Sequence, residues 1–158
     1  MNIPAPAIET VPIGTLRPWD KNPRKNHAVE AIAKSIESFG YLAPIIVQKG
    51  TYRILAGHGR LEALKQKGAA EVPVLVADVT DEQAALYTIA DNRLTELAEW
   101  DFPQLAELLK TLDGQLAGFT AHELAAIERS LLPADNEVID ELKLAETLHE
   151  CPKCHFKW

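Results

Sequence analysis

Short apolar runs alternate with stretches that are apolar on one side only. Residues 8–13 read as a first strand broken by Pro12. The segment Leu16-Arg17-Pro18-Trp19-Asp20-Lys21-Asn22-Pro23-Arg24 reads as a loop, because each proline biases its predecessor away from helix. Asn26 can cap a helix that ends at Gly40 and carries Val29, Ile32, Ala33, Ile36 and Phe39 on one face. Residues 44–48 and 52–55 are β-rich runs around Lys49-Gly50-Thr51, the pattern of a hairpin. A helix follows Gly59, turns Leu61 and Leu64 inward and stops at Gly68, and residues 72–79 form another strand. Thr80 and Gln83 stand three apart as a capping box ahead of a helix through Ala84, Leu86, Ile89 and Ala90. Asp101-Phe102-Pro103 opens a helix with Leu105, Leu108, Leu109 and Leu112 inward. A second capping box, Thr120 with Glu123, precedes Leu124, Ile127 and Leu131. The pattern predicts a mixed α/β (α+β) chain: a small domain over 1–100, a helical subdomain over 101–132, an acidic linker and helix over 133–150, and a Cys-x-x-Cys end over 151–158.

Composition narrows the class. Of the 158 residues 47% are apolar, enough for a core. No run is long and apolar enough to span a membrane, and residues 1–10 lack the basic-then-apolar pattern of a signal peptide. Two cysteines cannot form a disulfide framework, which predicts a cytoplasmic protein. The net charge of −7 is split: residues 1–67 carry 10 Lys+Arg against 5 Asp+Glu, and residues 68–158 carry 6 against 18. Such a chain is a poor generic nucleic-acid binder, since phosphate neutralisation dominates that affinity, but its basic half can hold a small polyanion.

The stretch Ile54-Leu55-Ala56-Gly57-His58-Gly59-Arg60-Leu61 places a two-glycine turn between a strand and a helix. Backbone N–H groups left unpaired at a helix start favour an anion, and Gly57 and Gly59 let a ligand approach closely. Arg60 offers a planar donor fork and His58 can donate or move a proton. A plain strand-to-helix turn with a surface His and Arg remains the alternative. At the C-terminus, Cys151 and Cys154 offer two thiolates to a Zn²⁺ that wants four ligands; His149 and His155 are further candidates, and two chains could complete one site. A reduced tail is the competing reading.

The ordered segments Leu16-Arg17-Pro18, Ser35 through Val47, Ile54 through Ala63, Val72-Pro73-Val74 and Ile89-Ala90-Asp91-Asn92-Arg93 resemble, over about 8–100, the N-terminal domain of the ParB/sulfiredoxin superfamily. The chain is most similar there to short phage and prophage ParB-domain proteins, some of which adjoin or are fused to DNA adenine methyltransferases. The resemblance implies a bound NTP, CTP or ATP, with Mg²⁺. Gly57, His58, Gly59 and Arg60 match the family's triphosphate motif, although the family form has an acid and an arginine at the positions of His58 and Gly59, which leaves the nucleotide open. Asp91 and Asn92 match a second motif and would help hold Mg²⁺; the arginine that follows in the family is Thr95 here, with Arg93 displaced.

Sulfiredoxins carry their nucleophilic cysteine where this chain has His58, which excludes that chemistry at this site. Free-serine kinases of the superfamily place an acidic base in the loop after the first strand, where Asp20 is the nearest candidate. With only Lys110, Arg129 and Lys143 as cations over 101–150, the later helices suit a platform for a partner or a second copy, or plain core packing, better than a DNA-reading clamp. The expectation is therefore an NTP-binding protein, with weak NTP hydrolysis by His58 left open, accessory to phage or plasmid DNA partition or modification. It would associate with DNA indirectly and act as a homodimer or beside a methyltransferase. A non-catalytic adaptor for a DNA-processing enzyme and a small-molecule kinase using Asp20 are the alternatives.

Overall fold

The computed structural model describes residues 6–131 apart from residue 26. The linker and tail over 133–150 and the candidate zinc ligands Cys151, Cys154 and His155 lie outside the described residues, as does Asn26. The elements run β1 (Ala7–Pro12), a 3-10 turn (Ile13–Thr15), α1 (Val29–Phe39), β2 (Ile45–Gln48), β3 (Ile54–Ala56), α2 (His58–Gln66), β4 (Glu71–Ala77), α3 (Asp81–Glu96), α4 (Phe102–Leu109) and α5 (Ala121–Leu131). The expected mixed α/β class is what the chain adopts.

The four strands form one sheet in the order β1-β4-β2-β3. β1 and β4 are antiparallel, β4 and β2 parallel, and β2 and β3 the antiparallel hairpin that the pattern predicts. Alternation sets which face is buried: Val72, Val74 and Val76 of β4 and Ile45 and Val47 of β2 point into the core, with Glu71 and Pro73 outward. Pro73 is tolerated within β4 because pairing with β2 begins only at Val74, so at Pro73 the strand has β1 alone beside it. Beyond β3, the loop after the 3-10 turn adds one parallel bridge, Arg17 against Arg53, in which Ile54 N–H donates to Arg17 O at 2.8 Å.

Leu61 and Leu64 of α2 close the core over Val11, Leu16, Ile54 and the valines of β4. α1 packs on α2, α3 on β3, and α4 on α5. Both capping boxes are present: Gln83 N–H donates to Thr80 Oγ1 with the reciprocal bond from Thr80 N–H, and Glu123 N–H and Thr120 do the same. No helix among the described residues is long and apolar enough to cross a membrane.

Expectations for α1 and α4 are corrected, and α3 adds a feature the pattern did not address. α1 starts from Ala28 without a side-chain cap, and Phe39 at its end is 53% exposed. α3 meets the sheet through Ala84 and Thr88, leaving Leu86 and Ile89 exposed. A helix lying close on a strand selects small residues at the contact, and the larger apolar ones then face away. In α4, Ala106 is buried while Leu108, and Leu112 beyond the helix, are exposed.

Deleting buried methylenes at a well-packed site costs transfer energy plus a cavity term. Leu61→Ala, at 2% exposure, is expected to lower unfolding free energy by about 2–5 kcal/mol in urea titration. Leu86→Ala, on the outward face of α3, is expected to change it by no more than about 0.5 kcal/mol.

Candidate functional site

β3 runs into the core and ends at Ala56, and Gly57 then takes a left-handed φ of 99° and launches α2. A Cβ at Gly57 would sit 3.1 Å from Arg60 Nη1 and 3.2 Å from Ile45 Cγ1, so conformation and space both require glycine. Gly57 brings no capping side chain, and Leu61 N–H is the first to bond back into the helix, to Gly57 O at 3.0 Å. The N–H groups of His58, Gly59 and Arg60 therefore present the positive end of α2 without a side-chain cap. Arg60 folds over the turn and donates one Nη1 bond to Pro44 O at 3.1 Å.

A cleft of about 270 Å³ opens in front of this turn. Its walls bring Gly57 through Arg60 together with Asp91 and Asn92 of α3, as the motif reading expects. Arg93 is not among the lining residues; it is exposed and paired with Glu96 at 3.4 Å, and Thr95 lines the cleft instead. Nor does Asp20 line it: the carboxylate is exposed and accepts from Lys21 N–H at 3.0 Å.

Sequence reasoning missed Asn22, Arg24 and His27, which line the opposite wall. Asn22 is buried and its Oδ1 accepts from Arg24 N–H at 3.1 Å, an Asx turn that aims Arg24 at the cleft. Arg24 Nη1 donates to Asn92 Oδ1 at 3.3 Å and lies 3.6 Å from Glu96. The Asn22-Pro23-Arg24 turn was the available signal; the span to α3 was not.

The two middle positions of the turn also have packing and hydrogen-bonding partners outside the turn. A Cβ on Gly59 would fall 2.7 Å from Ile32 Cδ1 and 3.0 Å from His27 Cβ, so this glycine serves the approach of α1 to α2. His58 Nε2 accepts from Trp19 N–H at 3.2 Å, which makes the ring a neutral Nδ1–H tautomer. Burial pushes the His58 pKa down; the charges of His27, stacked at 6.1 Å, and Lys25 add to this, and Glu62 opposes it.

Arg24, which also lies near Glu96, and Arg60 line the cleft with a single carboxylate, Asp91, among the described lining residues, and together with the uncapped N–H groups of α2 they favour an anion. Asp91 fits a Mg²⁺ held mainly by phosphate oxygens, the usual arrangement for that ion. Asn92 does not in this arrangement: Oδ1 already faces the Arg24 guanidinium and Nδ2 donates to Thr88 O at 2.8 Å. No group of three metal-ligating side chains occurs among the described residues. A second cleft of about 520 Å³, largely apolar, lies between α1, Tyr41 and Leu42, and Leu116 through Gly118, and shares Ile32 and Arg60 with the first.

The family model for the ParB N-terminal domain matches residues 2–93. A probable chromosome-partitioning protein ParB of Vibrio cholerae is 38% identical over 86 residues, covering 51% of this chain and 29% of that protein. A probable plasmid-partitioning protein ParB of Deinococcus radiodurans is 36% identical over 88 residues, covering 52% and 30%. The chain thus spans about three-tenths of the length of the curated relatives it matches. Among solved structures, the C-terminally truncated ParB of Caulobacter crescentus complexed with CTP-γ-S superposes with a TM-score of 0.65 at 26% identity, covering 89% of this chain and 86% of that one.

Gly59→Ala is expected to destabilise by about 1–2 kcal/mol, because His27 Cβ must give way as well as the mobile tip of Ile32. Gly14→Ala, with nothing within 4 Å, serves as the control. The folded state holds His58 neutral, with its pKa below the ordinary 6.5, so between the two values the unfolded chain binds more protons. The stability this group contributes is intact above about 6.5 and lost as pH falls through the folded value. Thermal unfolding from pH 8 to 5 is expected to show a steeper loss in wild type than in His58→Gln.

Proposed function

The chain belongs to the ParB N-terminal domain family, and on that footing we propose that its paired clefts bind a nucleoside triphosphate. The phosphates sit on the N-terminus of α2 between Arg24 and Arg60, and the nucleoside sits in the apolar cleft beside α1. The observation that carries this reading is Arg60: it lines both clefts at the point where the Gly57 turn directs N–H groups outward. Together the clefts fall in the ordinary size range for small-molecule sites. The CTP-γ-S bound to the Caulobacter crescentus ParB supports CTP as the first candidate, with ATP the alternative because His58 and Gly59 depart from the family motif. Asp91 shares a Mg²⁺ with the phosphates. The biological setting is DNA partition or a related step of DNA metabolism, as the names of the relatives support.

Isothermal calorimetry with CTP, ATP and ADP in the presence of Mg²⁺ tests the reading. One triphosphate is expected to bind, and Arg60→Ala is expected to weaken it about 10- to 100-fold, the size of a lost charge-assisted hydrogen bond. Absence of heat for all three nucleotides in a folded sample overturns it.

A further inference from the structure

An unbroken path of hydrogen bonds leads from the first residue of α2 round the cleft to α3. Trp19 N–H donates to His58 Nε2 at 3.2 Å. Trp19 O accepts from Asn22 N–H at 3.1 Å. Asn22 Oδ1 accepts from Arg24 N–H at 3.1 Å, and Arg24 Nη1 donates to Asn92 Oδ1 at 3.3 Å. His58 is the one side chain of α2 in this path, and it enters as an acceptor. On its other side the Trp19 ring meets the Arg53 guanidinium at 5.7 Å from the centroid, and Arg53 is tied to Asp81 at 3.2 Å. The loop that bears Arg24 is therefore held at Trp19 from two directions, by a cation over the ring and by an imidazole under the backbone.

We propose that His58 is a positioning residue for anion binding: its Nε2 anchors the loop that carries Arg24 over the cleft. The proposal rests on the reading of the cleft as a phosphate site. An imidazole whose Nε2 is already accepting a backbone proton cannot also donate from that atom to a phosphate. Protonating it replaces the acceptor with a donor facing the Trp19 N–H, two donors head to head, and releases the loop. The charged and titratable groups around the ring are Glu62 and Arg60 on its own helix, His27, Lys25 and Arg24 on the segment before α1, and Asp91 across the cleft on α3. A cationic His58 that gripped phosphate directly would respond to pH in the opposite sense, which makes the two roles separable.

The test measures binding of Mg²⁺–CTP and, separately, of inorganic tripolyphosphate between pH 8 and 5.5 for wild type, His58→Gln and His58→Phe. Gln places an amide oxygen near the position of Nε2 and does not titrate; Phe keeps the ring and removes the acceptor. Phosphate itself gains a proton near pH 6, so the readout is each variant against wild type at the same pH. Wild type is expected to lose affinity relative to His58→Gln as pH falls below about 6.5. His58→Phe is expected to bind about fivefold or more weakly at pH 8, the effect of one lost hydrogen bond, with His58→Gln restoring most of the loss. In the ¹⁵N–¹H spectrum of wild type the Trp19 amide is expected to titrate with the His58 ring, a readout that stands even if His58→Phe does not fold.

Affinity that rises relative to His58→Gln on acidification, a His58→Phe variant equal to wild type, or a Trp19 amide indifferent to the His58 ring each overturns the positioning role. If tripolyphosphate binds with the expected pattern and CTP does not, the nucleotide reading fails and the positioning role stands. If neither binds, both fall.

Discussion

One backbone dihedral governs this site. β3 is buried at Ile54, Leu55 and Ala56, so the chain must turn back at once if α2 is to return Leu61 and Leu64 to the same core. Gly57 achieves this with a φ of 99° in a space where a Cβ would press on Ile45 and on Arg60. A left-handed residue here costs an L side chain roughly 1–2 kcal/mol, and the contacts add to that. The exposed N–H groups at the head of α2 follow from the same geometry. The anion site is thus a consequence of how the core closes: the apolar side of α2 holds the helix in place, and its uncapped end has no other direction to face.

Much of this was legible locally. The hairpin, the Gly57 turn, both capping boxes and the burial of Leu61 and Leu64 depend on residues within a few positions of one another, where spacing carries the information. Asp91 and Asn92 were found by the order of motifs rather than by periodicity, and they do line the cleft. What was not legible depends on distant partners. Gly59 reads as a ligand approach and does line the cleft, but its lack of a Cβ is also demanded by Ile32 of α1 and by His27 just before that helix. The outward face of α3 carries Leu86 and Ile89 because β3 selects Ala84 and Thr88 at the contact, a choice invisible in the sequence of α3 alone. Arg24 was passed over because a loop cation gains meaning only when something fixes the loop.

That fixation depends on an atom-level property of residue 58. The ParB/sulfiredoxin motif that this turn resembles implies an acid at this position or, in sulfiredoxins, a thiol. A carboxylate could also accept the Trp19 N–H, but it would bring a negative charge to within a few ångströms of an incoming phosphate. At an effective dielectric near 20, a like-charge pair about 4 Å apart is unfavourable by roughly 4 kcal/mol before screening. A neutral imidazole supplies the same acceptor without that charge, and burial together with His27 and Lys25 keeps it neutral near pH 7. Asp91 is then left as the one carboxylate among the described lining residues, opposite two arginines. In this chain the residue between the two glycines serves the electrostatics of the cleft by remaining uncharged, and its hydrogen bond to Trp19 is what brings the second arginine into place.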